Sequence, residues 1–447
     1  MRRSSKPSVS RDRRTFIKYT GVAGIAGLTG LAGCTSDDAG SGGGSGGGQG
    51  TDGSGGGGGQ GTTVGNAGGG GQDQVVIGSN HPLSGSLAAT GGGMHNAIKL
   101  AADRKNEAGG IQSLDGAKIN VLKGDNQGKQ ELGGQVTQDL IDKGASVVTG
   151  CYSSPVTTAA TQVAERRQTP FVITVAAATD VLQGRGFNYV YRPQPPAKKI
   201  ANDFASLVPK VIRQNGSNVE TAGLYYVNNS YGQSIKENLN KFLPENDVEV
   251  VAETAVETGA SSANTQVSKL KQADPDTVIA TTYVPEGVTL VDAMQNQGYR
   301  PPHLTACASA TFTDDDAVSD IGEFANGIMD NNYALNPTVD KTKKVRDQFD
   351  QRFEQSFSAT VGMAYTAGEV VIAAIEKAGS TDRKAINEAL KSLKYEDHIA
   401  AMGPVQFKKD GENKNALAPV NQVQEQSIKV VYPEQFAEAK PVVETSN

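Results

Sequence analysis

Two adjacent serines, Ser153 and Ser154, follow an apolar run that ends at Gly150 and directly precede Pro155. The run has the composition of a buried strand, and proline is common in the first turn of a helix. A helix that begins here would present free N–H groups and the positive end of its dipole, which suits a carboxylate. The segment therefore predicts an anion-binding turn, although a serine that merely caps the helix is the alternative.

Tyr283 is a second candidate, because it directly follows the apolar segment in "DPDTVIATTY". Side chains at the carboxyl ends of parallel strands line the ligand sites of open α/β sheets. The position therefore predicts a binding role, and a tyrosine of the hydrophobic core is the alternative.

Motifs for catalysis or metal binding are not found. The four histidines are scattered and have no metal-ligand spacing, and neither a Gly-x-Ser-x-Gly elbow nor a nucleotide-binding phosphate loop occurs. We therefore expect no catalytic residues, no metal and no cofactor; a hydrolase or amidase on an α/β scaffold is the rival class. Cys151 and Cys307 could form a disulfide, but two buried thiols are favoured.

The charge balance argues against nucleic acid as a partner. The net charge is −6 at pH 7, although residues 1–33 are rich in Lys and Arg, so the remainder is more acidic still. A nucleic-acid-binding protein needs a basic surface stripe. Mild acidity indicates solubility, or alternatively adaptation to a high-salt medium.

The N-terminal 33 residues have the order of a signal peptide: basic residues, a short apolar stretch and a box of small residues. Arg13 and Arg14 resemble the twin-arginine export signal, and the segment from Leu31 to Cys34 resembles a lipoprotein cleavage box. We therefore expect cleavage after residue 33 and a lipid on Cys34. Residues 34–73 are rich in Gly and Ser and predict a disordered linker with a reach of about 35 Å.

From residue 74 onward, strand and helix patterns alternate and then restart near residue 200. This alternation predicts two α/β lobes, each a parallel sheet flanked by helices. Long helical patterns return after residue 338, and late strands are predicted at 402–407 and 427–432. A ligand site is expected in the cleft between the lobes, where the carboxyl ends of the strands face each other.

An ordered series of motifs over residues 74–440 resembles the type I periplasmic solute-binding proteins of ABC transporters, in their branched-chain amino acid (Leu/Ile/Val) branch. The motifs include "IGSNHPLSGSLAATGGGMHNAIKLA", "SVVTGCYSSPVTTAATQVAE", "TPFVITVAAATD", "YVYRPQPP", "LYYVNNSYGQS", "DTVIATTYVPEGVTL" and "MGPVQFKKDGENKN". The resemblance implies a two-lobed clamshell with three hinge crossings.

The same resemblance implies where the lobes divide. The crossings would fall near Arg192–Gln194, Asp330–Asn332 and Ala400–Met402. Lobe 1 would then comprise residues 74–193 and 332–400, and lobe 2 residues 194–331 and 401–447.

The site residues follow position by position from the resemblance. Ser153 and Ser154 would hold a ligand carboxylate, and Tyr231 and Tyr283 would close over the ligand from lobe 2. Ala176, Ala177 and Ala178 would offer backbone groups to the ligand. Thr90 and Ser309 lie where the family usually has other residues. Ordinary small-residue packing is the alternative for the three alanines.

Two departures from the family pattern bear on the ligand. The loop in which amino-acid binders place an acid opposite the ligand ammonium reads Cys307-Ala308-Ser309, and the next acids are Asp314–Asp316. The acid often found just past the first hinge is here Ala197. An unpaired ammonium costs several kcal/mol to desolvate, so an ammonium-free ligand (a short amide, urea or a small carboxylate) is an alternative to an amino acid.

The resemblance implies a monomeric, lipid-anchored binding protein on the outer face of the cell membrane. It would pass a small-molecule ligand to ABC permease subunits whose ATPases lie in the cytoplasm. A ligand-sensing surface lipoprotein is the further alternative.

Overall fold

A computed structural model describes residues 74–443. The predicted signal peptide with Arg13 and Arg14, the lipid-attachment residue Cys34 and the linker up to residue 73 all lie outside the described residues.

The first lobe is built on a five-stranded sheet in which every neighbouring pair is parallel, in the order β2-β1-β3-β4-β5. Its strands are β1 (Gln74–His81), β2 (Lys118–Asp125), β3 (Val147–Gly150), β4 (Phe171–Ile173) and β5 (Val190–Tyr191). The helices between them are α1 (Ala88–Glu107), α2 (Gln130–Asp142) and α3 (Ser154–Arg166). Strands β3 and β4 are buried along their whole length, as is usual where helices cover both faces of a parallel sheet.

The second lobe contains a seven-stranded sheet in the order β12-β11-β10-β9-β8-β6-β7, with β11 antiparallel to both of its neighbours. Its strands are β6 (Thr221–Val227), β7 (Glu249–Val256), β8 (Thr277–Thr281), β9 (His303–Cys307), β10 (Met329–Asn331), β11 (Val420–Gln424) and β12 (Ser427–Tyr432). Its helices are α4 (Ala197–Gln214), α5 (Ser230–Phe242), α6 (Asn264–Ala273), α7 (Val284–Asn296) and α8 (Asp315–Ile321).

Three helices after β10 return to the first lobe: α9 (Asp340–Phe353), α10 (Ala359–Ala378) and α11 (Arg383–Lys391). Helix α10 packs against α1 so closely that a Cβ on Gly368 would lie 3.3 Å from the Cβ of Ala101. Among the described helices, α10 alone is long and apolar enough to span a membrane, but 83% of its most apolar window is buried within the fold. That burial is typical of a core helix.

The segment after α11 departs from the expected boundary between the lobes. Val405 forms an isolated bridge with Tyr395, and the ring of Phe407 lies 5.0 Å from that of Tyr191. The backbone N–H of Arg192 donates to the carbonyl of Gly411 at 2.8 Å. Residues 402–413 therefore contact the first lobe, and we propose that the third crossing falls at 414–419 rather than at 400–402.

Residues 402–407, predicted as a strand, form only isolated bridges, whereas the strand predicted at 427–432 is confirmed. Cys151 and Cys307 are both buried free thiols, as favoured from the sequence.

Candidate functional site

The turn between β3 and α3 places Ser153 and Ser154 at the cleft between the lobes. Gly150, at the end of β3, has φ +153°, and a Cβ there would lie only 2.3 Å from the carbonyl oxygen of Asn80, so no other residue fits. Ser153 is the N-cap residue of α3, yet its side chain makes no capping hydrogen bond. Its buried Oγ makes no hydrogen bond of ordinary geometry, although it lies close enough to the Tyr283 hydroxyl to oppose the rise of that group's pKa. The helix terminus thus keeps unused hydrogen-bonding capacity at this point.

Ser154 has a different role from Ser153. Its Oγ accepts a hydrogen bond from the backbone N–H of Ala178 at 3.2 Å. This bond joins the start of α3 to the segment after β4, so the predicted site residues Ser154 and Ala178 lie together in the structure. Ser154 and Ala177 also line the inner cavity described below.

The carbonyls of Ala176, Ala177 and Ala178 accept hydrogen bonds from Nη1 of Arg192, at 3.2, 3.3 and 2.7 Å. Arg192 is fully buried, and its Nε and Nη2 donate to the carboxylate of Glu412. These carbonyls are therefore engaged within the protein rather than free for a ligand. The sequence alone did not identify this role of Arg192 or Glu412; a lone arginine within the apolar run "YVYRPQPP" was the available signal.

Four tyrosines converge on one small cavity, which we call the inner cavity. Tyr231 and Tyr283 belong to the second lobe, Tyr152 to the first and Tyr333 to the second crossing. The ring centroid of Tyr283 lies 5.0 Å from that of Tyr152 and 5.3 Å from that of Tyr231. Burial raises the pKa of all four hydroxyls, so each stays a neutral donor at physiological pH.

The inner cavity is almost closed. The space within which the centre of a water molecule can lie measures about 20 Å³, which is enough for one water. The lining described in the structure includes no charged side chain. In this closed arrangement the inner cavity has no room for an amino-acid side chain.

A larger space, which we call the outer cavity, opens on the other side of Tyr283 and measures about 490 Å³ by the same criterion. It lies between the lobes. Its walls include Leu87, Gln130, Ser153, Pro155 and Asp180 from the first lobe and Asn228, Asn229, Ser230, Thr258 and Tyr283 from the second. Tyr283 lines both cavities and separates them.

Thr90 and Ser309 line neither cavity. Thr90 lies on α1, near the Tyr152 hydroxyl, and partly offsets the rise that burial causes in the pKa of Tyr152. No hydrogen bond of ordinary geometry joins the two side chains. The Oγ of Ser309 lies 2.7 Å from that of Thr282, and the neighbouring Ala308 and Ala310 line the inner cavity instead.

Asp314, considered above as a substitute acid, caps α8 by accepting the N–H of Ala317 at 3.0 Å. Burial raises the pKa of Asp314 to about 6. Asp314, Asp315 and Asp316 are not among the residues that line the two cavities.

Residues 74–426 match the family described as Periplasmic binding protein. The chain belongs to this family. The predicted resemblance to type I solute-binding proteins is thereby confirmed, and so is the class of two α/β lobes with parallel sheets. Such proteins bind solutes outside the cytoplasm and are not enzymes as a family.

Curated relatives of this periplasmic binding protein include Leu/Ile/Val-binding protein homolog 8 of Brucella melitensis. The two are 25% identical over 375 residues, which cover 82% of this chain and 92% of the relative.

Solved structures share the fold. The branched-chain amino acid transporter substrate binding protein LivJ of Streptococcus pneumoniae, in complex with isoleucine, has a TM-score of 0.67 and 22% identity, covering 80% of this chain and 100% of that one. A solute-binding protein of an R. palustris ABC transporter, in complex with benzoate, has a TM-score of 0.70 and 16% identity, covering 83% and 98%.

Proposed function

We propose that this periplasmic binding protein captures a branched-chain amino acid, or a related small amphipathic solute, between its lobes and delivers it to an ABC permease. One observation carries the proposal: groups able to bind such a solute face each other across the cleft. On one side lies the uncapped start of α3 with the buried Ser153, and on the other lie Tyr231 and Tyr283. Relatives named as Leu/Ile/Val-binding proteins support the same ligand class.

Closure of the two lobes is the proposed means of capture, with the crossing segments taking up the rotation. Contacts between the lobes are already present: the N–H of Thr179 donates to Oγ of Ser234 at 3.1 Å, and Tyr152 packs on Tyr283. A solute that enters the cleft would replace part of these contacts. The protein would act as a monomer without catalysing a reaction, and the closed form would dock on the permease.

An ammonium-free ligand is the second candidate, because uncharged side chains alone line the described inner cavity. Once the lobes part far enough to admit it, a short amide, urea or a small carboxylate would meet these four tyrosines and would leave no ammonium unpaired. The R. palustris protein in complex with benzoate shows that this fold accepts a carboxylate without an ammonium.

Calorimetric titration of the full-length protein with isoleucine, leucine, valine, acetamide, urea and benzoate separates the candidates. We expect a branched-chain amino acid to bind, and Tyr283→Ala to weaken that binding about tenfold or more, because it removes an aromatic wall shared by both cavities. Tyr299→Phe is the matched control, since Tyr299 lies outside both cavities and its hydroxyl has no partner. Unchanged affinity of the Tyr283 variant would contradict this site, and binding of benzoate or an amide alone would select the second candidate.

We further propose that the chain is exported by the twin-arginine route and anchored to the outer face of the membrane by a lipid on Cys34. The sequence of residues 1–34 is the support. Cys34→Ser should move the protein from the membrane fraction to the soluble fraction in cell fractionation, whereas the neighbouring Thr35→Ser should not. Retention of the Cys34→Ser variant in the membrane fraction would refute the lipid anchor.

A further inference from the structure

A turn of the second lobe approaches the first lobe beside the outer cavity. This turn, residues 257–260, follows β7, and we call it the latch turn. A Cβ built on Gly259 would lie 3.5 Å from both the Cβ and the Oγ of Ser86, which belongs to the first lobe. The neighbouring residues Thr258 and Leu87 line the outer cavity. The two lobes therefore come together directly at the edge of that cavity.

The latch turn is held to its own lobe by a buried carboxylate. Glu286, in the first turn of α7, is fully buried, and its Oε1 accepts the backbone N–H of Gly259 at 2.6 Å. Hydrogen bonds to an ionised carboxylate are about twice as strong as those between neutral groups. The bond ties the tip of the latch turn to the helix that begins after Tyr283.

Glu286 is costly for the stability of the second lobe. Burial raises its pKa, which means that the surroundings disfavour the ionised form. Its Oε2 is also buried and makes no hydrogen bond of ordinary geometry. Stability therefore does not explain the presence of this side chain, whereas the position that it gives to the latch turn does.

The facing loop of the first lobe, between β1 and α1, is held in the same way. Asp125, the last residue of β2, accepts the N–H of Leu83 at 2.8 Å and the hydroxyl of Ser84 at 2.7 Å. One carboxylate from each lobe thus fixes one side of the approach between Ser86 and Gly259.

We propose that the latch turn, positioned by Glu286, holds the lobes closed and slows the escape of a captured solute. Glu286 is a positioning residue, because it acts on the solute only through Gly259 and the approach to Ser86. The inference rests on the proposed function, since the solute is the one captured there. The approach exists only when the lobes are together, so Glu286 governs the rate of release and not the rate of entry.

The first test measures association and dissociation of radiolabelled isoleucine with the full-length protein by rapid filtration. We expect Glu286→Ala to raise the dissociation rate about tenfold and to leave the association rate within about twofold. Glu286→Gln keeps an acceptor oxygen for the N–H of Gly259 and should lie between the two.

Asp276→Ala is the matched control for the loss of a carboxylate that holds a loop. Asp276 accepts the N–H groups of Glu220 and Thr221, but it precedes β8 and so lies at the end of the sheet away from the cleft. This variant should lower the free energy of unfolding and change neither rate.

The second test does not depend on a solute. Spin labels on Asp139→Cys in α2 and Glu237→Cys in α5, both exposed positions, report the distance between the lobes in a Cys34→Ser background, in which the two described thiols are buried. Without solute, we expect part of the otherwise unmodified protein to be closed, and Glu286→Ala to reduce that share severalfold. Asp125→Ala should reduce it similarly. The double variant should lose little more than either single one, because both act on the same contact.

The outcomes are distinguishable. Equal distance distributions for the Glu286→Ala protein and the unmodified protein would overturn the inference, and so would slower association with unchanged release. Additive losses in the double variant would also overturn it, because they would show that the two carboxylates act separately. If isoleucine does not bind the unmodified protein, the proposed ligand class fails, and the distance distributions still decide whether the latch turn holds the lobes together.

Discussion

Arg192 and Glu412 form a fully buried ion pair that connects two parts of the chain 220 residues apart. The guanidinium also donates to three consecutive carbonyls beside the cleft, at Ala176, Ala177 and Ala178. A buried ion pair contributes little more to the free energy of unfolding than well-packed apolar groups would. The pair is therefore better explained by its positioning of residues 176–178 than by stability. Residues 176–178 lie just before Asp180, which lines the outer cavity.

Glu412→Gln should lower the free energy of unfolding by about 3–5 kcal/mol, because it leaves a buried guanidinium without its counter-charge. The double variant Arg192→Met, Glu412→Leu should recover most of that stability and still bind solute more weakly, since the three carbonyls lose their donor. Urea unfolding and calorimetric titration measure the two effects. Lys199→Met, which breaks a surface pair with Asp203, is the control and should cost about 0–1 kcal/mol. Normal affinity in the double variant would refute a positioning role.

The position of a single residue in the cleft was predictable where the order of strand, loop and helix signals along the chain decides it. Tyr283 could be placed because it ends a buried strand, and Ser153 because a strand, small residues and Pro155 follow in order. Which of several neighbours faces the cleft was not predictable: Ser309 points into the second lobe, while the alanines on either side line the inner cavity. The pairing of Arg192 with Glu412 depends on tertiary folding and leaves no local pattern.

At the scale of elements, the alternation of strand and helix patterns predicted the two α/β lobes, and the late strand at 427–432 has the predicted bounds. The strand predicted at 402–407 was wrong because Val405 and Phe407 alternate as in a strand but form isolated bridges only, with Tyr395 and Asn413, and Phe407 packs its ring on Tyr191 of β5. The three-residue strand β10 could not be predicted, because "MDN" carries no apolar alternation and its burial comes from the neighbouring strands and from helix α4. Short central strands of this kind are defined by tertiary contacts.

Two of the uncapped helices at the cleft, α3 and α7, begin alike. Each starts after a buried parallel strand, has proline in its first turn and makes no side-chain capping bond. Proline lacks one of the N–H groups that a cap would satisfy, so the remaining donors stay available where the lobes meet. Their N-cap residues, Ser153 and Tyr283, both line the outer cavity. The paired lobes therefore present two similar helix starts to one space, which the restart of the sequence pattern near residue 200 had indicated.

At the scale of the whole molecule, stability should depend on pH in two opposite ways. Burial lowers the pKa of His81 to about 3 and of His95 to about 4, so the unfolded chain binds more protons than the native one up to about pH 6.5. These histidines make stability rise with pH in that range. Burial instead raises the pKa of Asp314, Glu369 and Asp330 to about 6, 7 and 8. Each acid makes stability fall as pH rises from about 4 to its native pKa.

Above pH 7 the histidine contributions are nearly complete and Asp314 is almost fully ionised in both states, so the slope comes from Asp330 and, close to pH 7, also from Glu369. We expect the free energy of unfolding to fall between pH 7 and 8, by up to about 1.4 kcal/mol per pH unit for each proton involved, and to level off above about pH 9. Asp330→Asn should flatten this slope, whatever its effect on absolute stability through the hydrogen bond from Asn332. Asp314→Asn is the control: asparagine caps a helix about as well as aspartate, so the variant should keep the cap of α8 and leave the slope between pH 7 and 8 intact. Urea unfolding at pH 6, 7, 8 and 9 gives the slopes. An Asp330 variant with the unmodified slope would show that this carboxyl of the second crossing is already ionised at pH 7.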